Sequence, residues 1–259
     1  MNKELRESIL KSLKEGIRFD GRKLDEFRKI EVETGSINTA EGSAHVKIGN
    51  TEVLAGIKLQ IEEPYPDTPD EGMMMVGMEL LPLANPEFES GPPTEEAIEI
   101  SRVIDRGIRE SKCIDMKKLN VKKGEKSWAV MVDIAPINDA GNLLDAGSLA
   151  AILALKNTTM PEFDGEKIDY KKKTSKKLPL GKLPVSVTIA KIGDYFIVDP
   201  SSEEEEALDA KLTVASLDDG TLCAMQKAGY KPLSEDDIMK MIDMSLKAAK
   251  KLRVYHEKA

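Results

Sequence analysis

Leu5, Ile9 and Leu13 recur at helical spacing and predict a helix over residues 3–15. Residues 17–28, IRFDGRKLDEFR, lose that period and read as an extended lead-in with a turn at Asp20-Gly21. Period-two alternation on both sides of Gly49-Asn50 predicts a hairpin over 43–61. An acidic, Pro-rich loop follows at 62–72, then a buried strand over 73–82 whose methionine triplet fills core space. After Pro92-Pro93 a helix is expected, capped by Thr94, with Glu95 and Glu96 in its first turn. Its buried stripe would be Ala97, Ile100, Ile104, Ile108 and Ser111. Residues 126–139 read as a strand. Residues 141–155 read as a turn and a small-residue helix capped by Asp145, with Ala146, Gly147 and Ser148 forming an anion cradle at its positive end. Hairpins are expected at 182–200 and at 211–229, the latter turning at Asp218-Asp219-Gly220. Ser234 then caps a last amphipathic helix to residue 254.

This order is α+β, a two-layer plan of mixed sheets with helices packed on them, and it reads as one unit used twice. The first half would be 1–158, including the N-terminal helix, and the second 182–259. The stretch 159–181 between them carries a basic run, Lys171 to Lys173 with Lys176 and Lys177, and is expected as a solvated loop.

Composition narrows the function. Aromatic residues are only 4% of the 259, so the core must be aliphatic and base-stacking platforms are disfavoured. With 38 Lys+Arg against 46 Asp+Glu the net charge is −8, which argues against a ribosomal or chaperone-like RNA-binding module. No apolar run reaches the roughly 18 residues of a membrane span, and the charged N-terminal helix is unlike a signal peptide, so no membrane role is expected. Cys113 and Cys223 make no disulfide framework, and a reduced, cytoplasmic setting is expected. His45 and His256 lack neighbours at ligand spacing, and the four consecutive glutamates in SSEEEEALD (201–209) cannot all converge. No metal and no cofactor are expected; 201–209 reads as a solvated loop or helix start.

One charged pattern stands out. Arg102, Arg106 and Arg109 fall at i, i+4 and i+7, on one side of their helix and away from Ile104 and Ile108. Ordinary helix pairing would join Glu99 to Arg102 and Asp105 to Arg109. In an acidic chain, however, a cationic row calls for an anionic partner, and the forked arginine donors suit RNA phosphate.

The stretches IRFDGRKLDEFR, ISRVIDRGIRES and VDIAPINDAGNLLDAGSLAAILAL together resemble the RNase PH family, in matching order and over nearly the whole chain. Residues 140–146, AGNLLDA, are most similar to the non-catalytic ring subunit of the archaeal exosome. The resemblance implies an RNase PH-like fold (ribosomal protein S5 domain 2-like) of duplicated βαβ halves. Active members use phosphate to cleave the last RNA phosphodiester, with small residues and an arginine at a helix start and an aspartate before a later strand. Here the first motif reads Gly147, Ser148, Leu149, a degenerate phosphate site. Lys211 stands at the acid position, with Asp209 two residues before it. The resemblance therefore implies no catalytic residues, and a hexameric ring in which this chain alternates with a catalytic paralogue beneath RNA-binding cap subunits. The chain would structure the paralogue's active site and guide single-stranded RNA during 3′-to-5′ phosphorolysis. The alternative is an intrinsically active phosphorolytic exoribonuclease.

Overall fold

The computed structural model describes residues 3–258. Its first sheet has the order β1 (Ile30–Thr34), β2 (Gly42–Ile48), β3 (Thr51–Glu62), β6 (Lys126–Asn138), β4 (Met73–Met78), and β5 (Asn120–Lys122) pairs beside β6. Only β4 and β6 run parallel, and their crossover carries α2 (Glu95–Glu110) and a 3-10 turn, Met116–Leu119. The second sheet is antiparallel throughout, in the order β10 (Tyr195–Val198), β9 (Val185–Ile192), β11 (Ala210–Ser216), β12 (Leu222–Ala228).

Between the sheets lies α3 (Leu143–Asn157), which packs on β2, β3 and β6 of the first and on β9 of the second. Every residue from Leu143 to Leu155 is buried. That explains its composition, because a helix covered on all sides needs no polar face. Next to it α2 bridges β4 and β12. The last helix, α5 (Glu235–Lys258), packs on β9, β10 and β11, and Ser234 Oγ accepts from the Asp237 amide at its start.

The α+β class stands, but the two halves are unequal. Only the first contains a parallel β–α–β crossover, and it has the larger sheet. The N-terminal helix, α1 (Lys3–Lys14), expected as part of the first half, packs instead on the second sheet: Ile9 and Leu13 cluster with Ala190, Ile192, Ile197 and Ala207. The basic stretch expected as a loop is instead a hairpin of β7 (Thr159–Phe163) and β8 (Ile168–Lys177), seated on the first sheet through Tyr170. In α2 the Thr94 cap forms as expected, but Val103 and Gly107 join the buried stripe and Ser111 is the half-buried C-cap. Met75 of the methionine triplet is exposed, on the uncovered face of the sheet. Residues Ser202–Ala207 form a short helix, α4, in which Glu204 is buried against Arg18 rather than solvated. Cys113 is buried and Cys223 half-buried, and both are free thiols.

Candidate functional site

The start of α3 is where the cradle was expected, and it is built differently. Its cap is Asn142, in the left-handed conformation at φ 60°, and Asp145 lies within the helix. The helix thus begins one turn before Gly147, so the amides at 147–149 are committed to helical bonding. Gly147 is a packing glycine: a Cβ there would meet Ile104 Cδ1 at 3.1 Å, which lets α2 and α3 approach closely. Leu149 is 4% exposed, and Ser148 Oγ is buried without a hydrogen-bond partner.

Asp145 tethers α3 to the second sheet. It accepts from the Thr188 amide at 3.0 Å and from Thr188 Oγ1 at 2.7 Å, and Asn142 Nδ2 donates to it at 3.1 Å. The same amide group donates to Asp199 at 2.9 Å, whose carboxylate also accepts from Arg22 and, through three donors, from Arg28. Among the described residues no cation touches Asp145 itself. Burial pushes its carboxyl up to about 7, although the bonds from Thr188 and Asn142 favour the ionised form.

The helix start opens on a cavity of about 250 Å3 lined by Leu143, Leu144, Lys211, Thr213 and Gln226, with carboxylates from Glu96, Glu99, Asp139 and Glu205. Gly141 has φ +90°, and a Cβ on it would sit 2.6 Å from the Ser201 backbone. Its absence lets the segment leading into α4 lie against the start of α3. In consequence Glu205 Oε2 accepts from the Asn142 amide at 3.2 Å, while Oε1 faces Lys211 Nζ at 3.4 Å. The chain's own carboxylate therefore occupies the positive end of α3, where a bound anion would sit. Burial alone would lower the Lys211 ammonium, but Glu205, Glu99 and Glu96 outweigh it and hold the group protonated. Partial withdrawal from water, with Glu205 and Asp139 close by, raises the Glu96 carboxyl. Asp209, two residues before Lys211, serves elsewhere: it binds Arg6, Lys231, the Gly193 amide and the Tyr230 hydroxyl, which hold it well below the usual carboxylate range despite burial.

Arg102, Arg106 and Arg109 are all exposed along α2, C-terminal to the residues of that helix that line the cavity. Arg109 pairs with Asp105 at 2.8 Å and reaches the Met74 carbonyl, whereas Arg106 donates to Gln226 Oε1 of β12 at 2.8 Å. Arg102 has no partner among the described residues, and the expected pair with Glu99 does not form; Glu99 lines the cavity instead. Glu205 and Gln226 escaped sequence reasoning. The first was hidden in a run of four glutamates, and nothing in local spacing links the second to α2.

An α+β chain with a parallel β–α–β crossover and a buried central helix between two sheets is of RNase PH type. Residues 26–161 match the family model described as 3′ exoribonuclease family, domain 1, and residues 182–248 match domain 2. The chain belongs to the RNase PH family. It is 50% identical over 251 residues to exosome complex component Rrp42 of Archaeoglobus fulgidus, covering 96% of this chain and 94% of that protein. It is 44% identical over 257 residues to Rrp42 of Methanothermobacter thermautotrophicus, covering 98% and 94%. A chain in the Archaeoglobus fulgidus exosome with RNA bound to the active site overlays with a TM-score of 0.91 at 47% identity, covering 98% of each. Rice Rrp46 shares the fold, with a TM-score of 0.70 at 18% identity over 92% of this chain and 97% of that one.

Proposed function

We propose that this chain is a non-catalytic subunit of an archaeal-type exosome ring. It alternates with a catalytic RNase PH-like paralogue in a hexamer below RNA-binding cap subunits and works in the cytoplasm. Its two halves, 1–158 and 182–259 with 159–181 between them, form the frame. Its task is to complete the paralogue's active site and hold the 3′ end of single-stranded RNA there. The likeness to Rrp42 proteins over nearly the whole chain supports the ring role.

The non-catalytic reading rests on one observation: Glu205 binds the Asn142 amide at the start of α3, with Lys211 as its counterion. Inorganic phosphate entering there would meet four carboxylates and a single lysine. Gly147, Ser148 and Leu149 keep the order of a phosphate motif but serve to pack α3, and Lys211 replaces the acid. Cationic character survives on Arg102, Arg106 and Arg109, which point outward toward RNA held by a neighbour.

The test is nucleoside diphosphate release from RNA with added phosphate. The isolated chain should give none, and the chain mixed with its paralogue should give sustained release. Phosphate-dependent release by a clean single-chain preparation, lost in Lys211→Ala, would support the intrinsically active alternative instead.

A further inference from the structure

One face of the first sheet is covered by α3, and the opposite face is partly open. On that face the central strand β6 presents Asp133, whose register partners are Gly56 on β3 and Gly77 on β4. Cross-strand partners share a face, so the carboxylate stands between two glycines. A Cβ on Gly77 would meet only Asp133 Oδ1, at 3.9 Å, and one on Gly56 would meet only Ile37 and Ala40, at 3.8 and 3.9 Å. The result is a groove of about 710 Å3 whose walls include Ile37, Leu54, Val76, Ile98 and Ala135.

The charges in the groove do not balance. Lys58, at its margin, is held by Glu41 at 2.8 Å and lies over the Tyr170 ring. Asp133 and Glu79 have no hydrogen-bond or ion-pair partner for their carboxylates among the described residues. Partial burial raises the Asp133 carboxyl, and the Glu79 charge raises it further. Two like charges in an apolar trough favour an incoming cation. Exposed Met75 and Ile98 extend the apolar surface around them.

We propose that this groove is a subunit interface, occupied in the ring by an aliphatic segment of the neighbouring RNase PH-type chain that brings an arginine or lysine to Asp133 and Glu79. The assignment rests on the ring reading above, and charge complementarity selects the occupant. The glycines keep the trough open, the carboxylates fix the register of the incoming segment, and the aliphatic walls exclude water around the ion pair.

The experiment co-expresses the chain with its catalytic paralogue and follows ring formation by light scattering. Asp133→Lys should lower ring yield at micromolar concentration at least tenfold, and Gly77→Leu, which fills the trough, should do the same. Asp133→Asn, nearly isosteric and safe for folding, should weaken assembly less. In the unmodified ring, carbodiimide-driven amidation of Asp133 and Glu79 should be at least tenfold slower than in the free chain. Rings that form equally well with both Asp133→Lys and Gly77→Leu overturn the proposal, as does unchanged amidation of Asp133 in the ring. Protection that arises only when cap subunits are added overturns the choice of occupant. If the unmodified chain fails to assemble with the paralogue, the ring reading falls and this inference with it; unmodified rings with indifferent variants remove the groove alone.

Discussion

Arg18, Arg22 and Arg28 lie in the segment leading into the first sheet, and their guanidinium groups are turned inward. Arg18 is 2% exposed and binds Glu204 and the carbonyls of Val198 and Asp199. Arg28 spans Asp199, Thr51 and the carbonyls of Ala140 and Gly141. Arg102, Arg106 and Arg109 on α2 are exposed, and they share two carboxylate bonds, one carbonyl and one glutamine among them. Both sets are arginines at short spacing in an acidic chain, yet their donors have different fates. In the first set all but Arg22 Nη2, which is buried without a partner, are bound by groups of the same fold, so those charges are part of the folded structure. In the second, Arg102 has no partner among the described residues and Arg106 faces a neutral amide, which leaves donors for a ligand. Charge count at a motif therefore says little until each donor has been followed to its acceptor.

The contrast is broken most severely at Arg18. Replacing it with Ala leaves Glu204 buried without its cation and takes a donor from each of the Val198 and Asp199 carbonyls, the latter keeping only Arg22 Nη1 at 3.2 Å. Removing one partner of a buried pair costs about 3–5 kcal/mol, a large share of a domain's stability. Urea unfolding should show Arg18→Ala displaced by that amount. A loss below about 1 kcal/mol would mean that Arg18 is no more structural than the α2 row.

How much of this was legible beforehand follows from the same distinction. The hairpins at Gly49-Asn50 and Asp218-Asp219-Gly220 and the amphipathic α2 were readable, because turn chemistry and period are local. The β7–β8 hairpin was not: its lysines read as solvent-loving, and its pairing depends on support from the first sheet through Tyr170 and Lys58. The start of α3 was misplaced for a similar reason. Asp145 has the residue type of a cap, but its acceptors are claimed by Thr188 on a strand 43 residues later. Of the candidate site, the arginine spacing and the residue types at 147–149 and 211 could be read from sequence. The closing of the anion position by Glu205 could not, because it requires the tight passage at Gly141.

A second effect, spread over a range of pH, tests whether Asp145 belongs with the buried, fully committed groups although no cation among the described residues touches it. Its folded carboxyl is raised from 3.8 to about 7, so ionising it opposes folding. Its contribution to stability is fully present below about pH 4 and declines as pH rises toward 7, by up to about 4 kcal/mol at about 1.4 kcal/mol per unit. Asp199 reinforces that direction, while the depressed Asp209 acts in a separate window, losing stability as pH falls below about 4. Asp145→Asn cannot titrate, so its stability should improve relative to the unmodified chain between pH 4.5 and 7.5. Urea-unfolding stabilities that instead stay parallel across that range would show that Asp145 remains ionised, held by the Thr188 and Asn142 donors.

The smallest effect on folding, and the sharpest on function, is expected at the exposed row. Arg102→Ala, Arg106→Ala and Arg109→Ala together leave Ala97, Ile100, Val103, Ile104 and Ile108 packed, and remove exposed pairings worth about 0–1 kcal/mol each. Unfolding should therefore shift far less than in Arg18→Ala. If the free donors hold phosphates, RNA affinity of the assembled ring should fall with little regard to base sequence, because bonds to the RNA backbone carry no base information. The slope of log affinity against log salt should become shallower by about 0.7 for each single-strand phosphate that no longer has its arginine, so by about 2 for the whole row. Paralogue turnover should fall as well, since a loosely held 3′ end is poorly aligned for attack. Arg102 should carry the largest single share, because no described residue competes for it, and Arg109 the smallest, because Asp105 already holds two of its donors. A salt titration on the three single variants, with ring size checked by light scattering, measures this ordering. An intact ring with unchanged slope and turnover in the triple variant would return the row to the structural class of Arg18 and Arg28, and its RNA role would have to be given up.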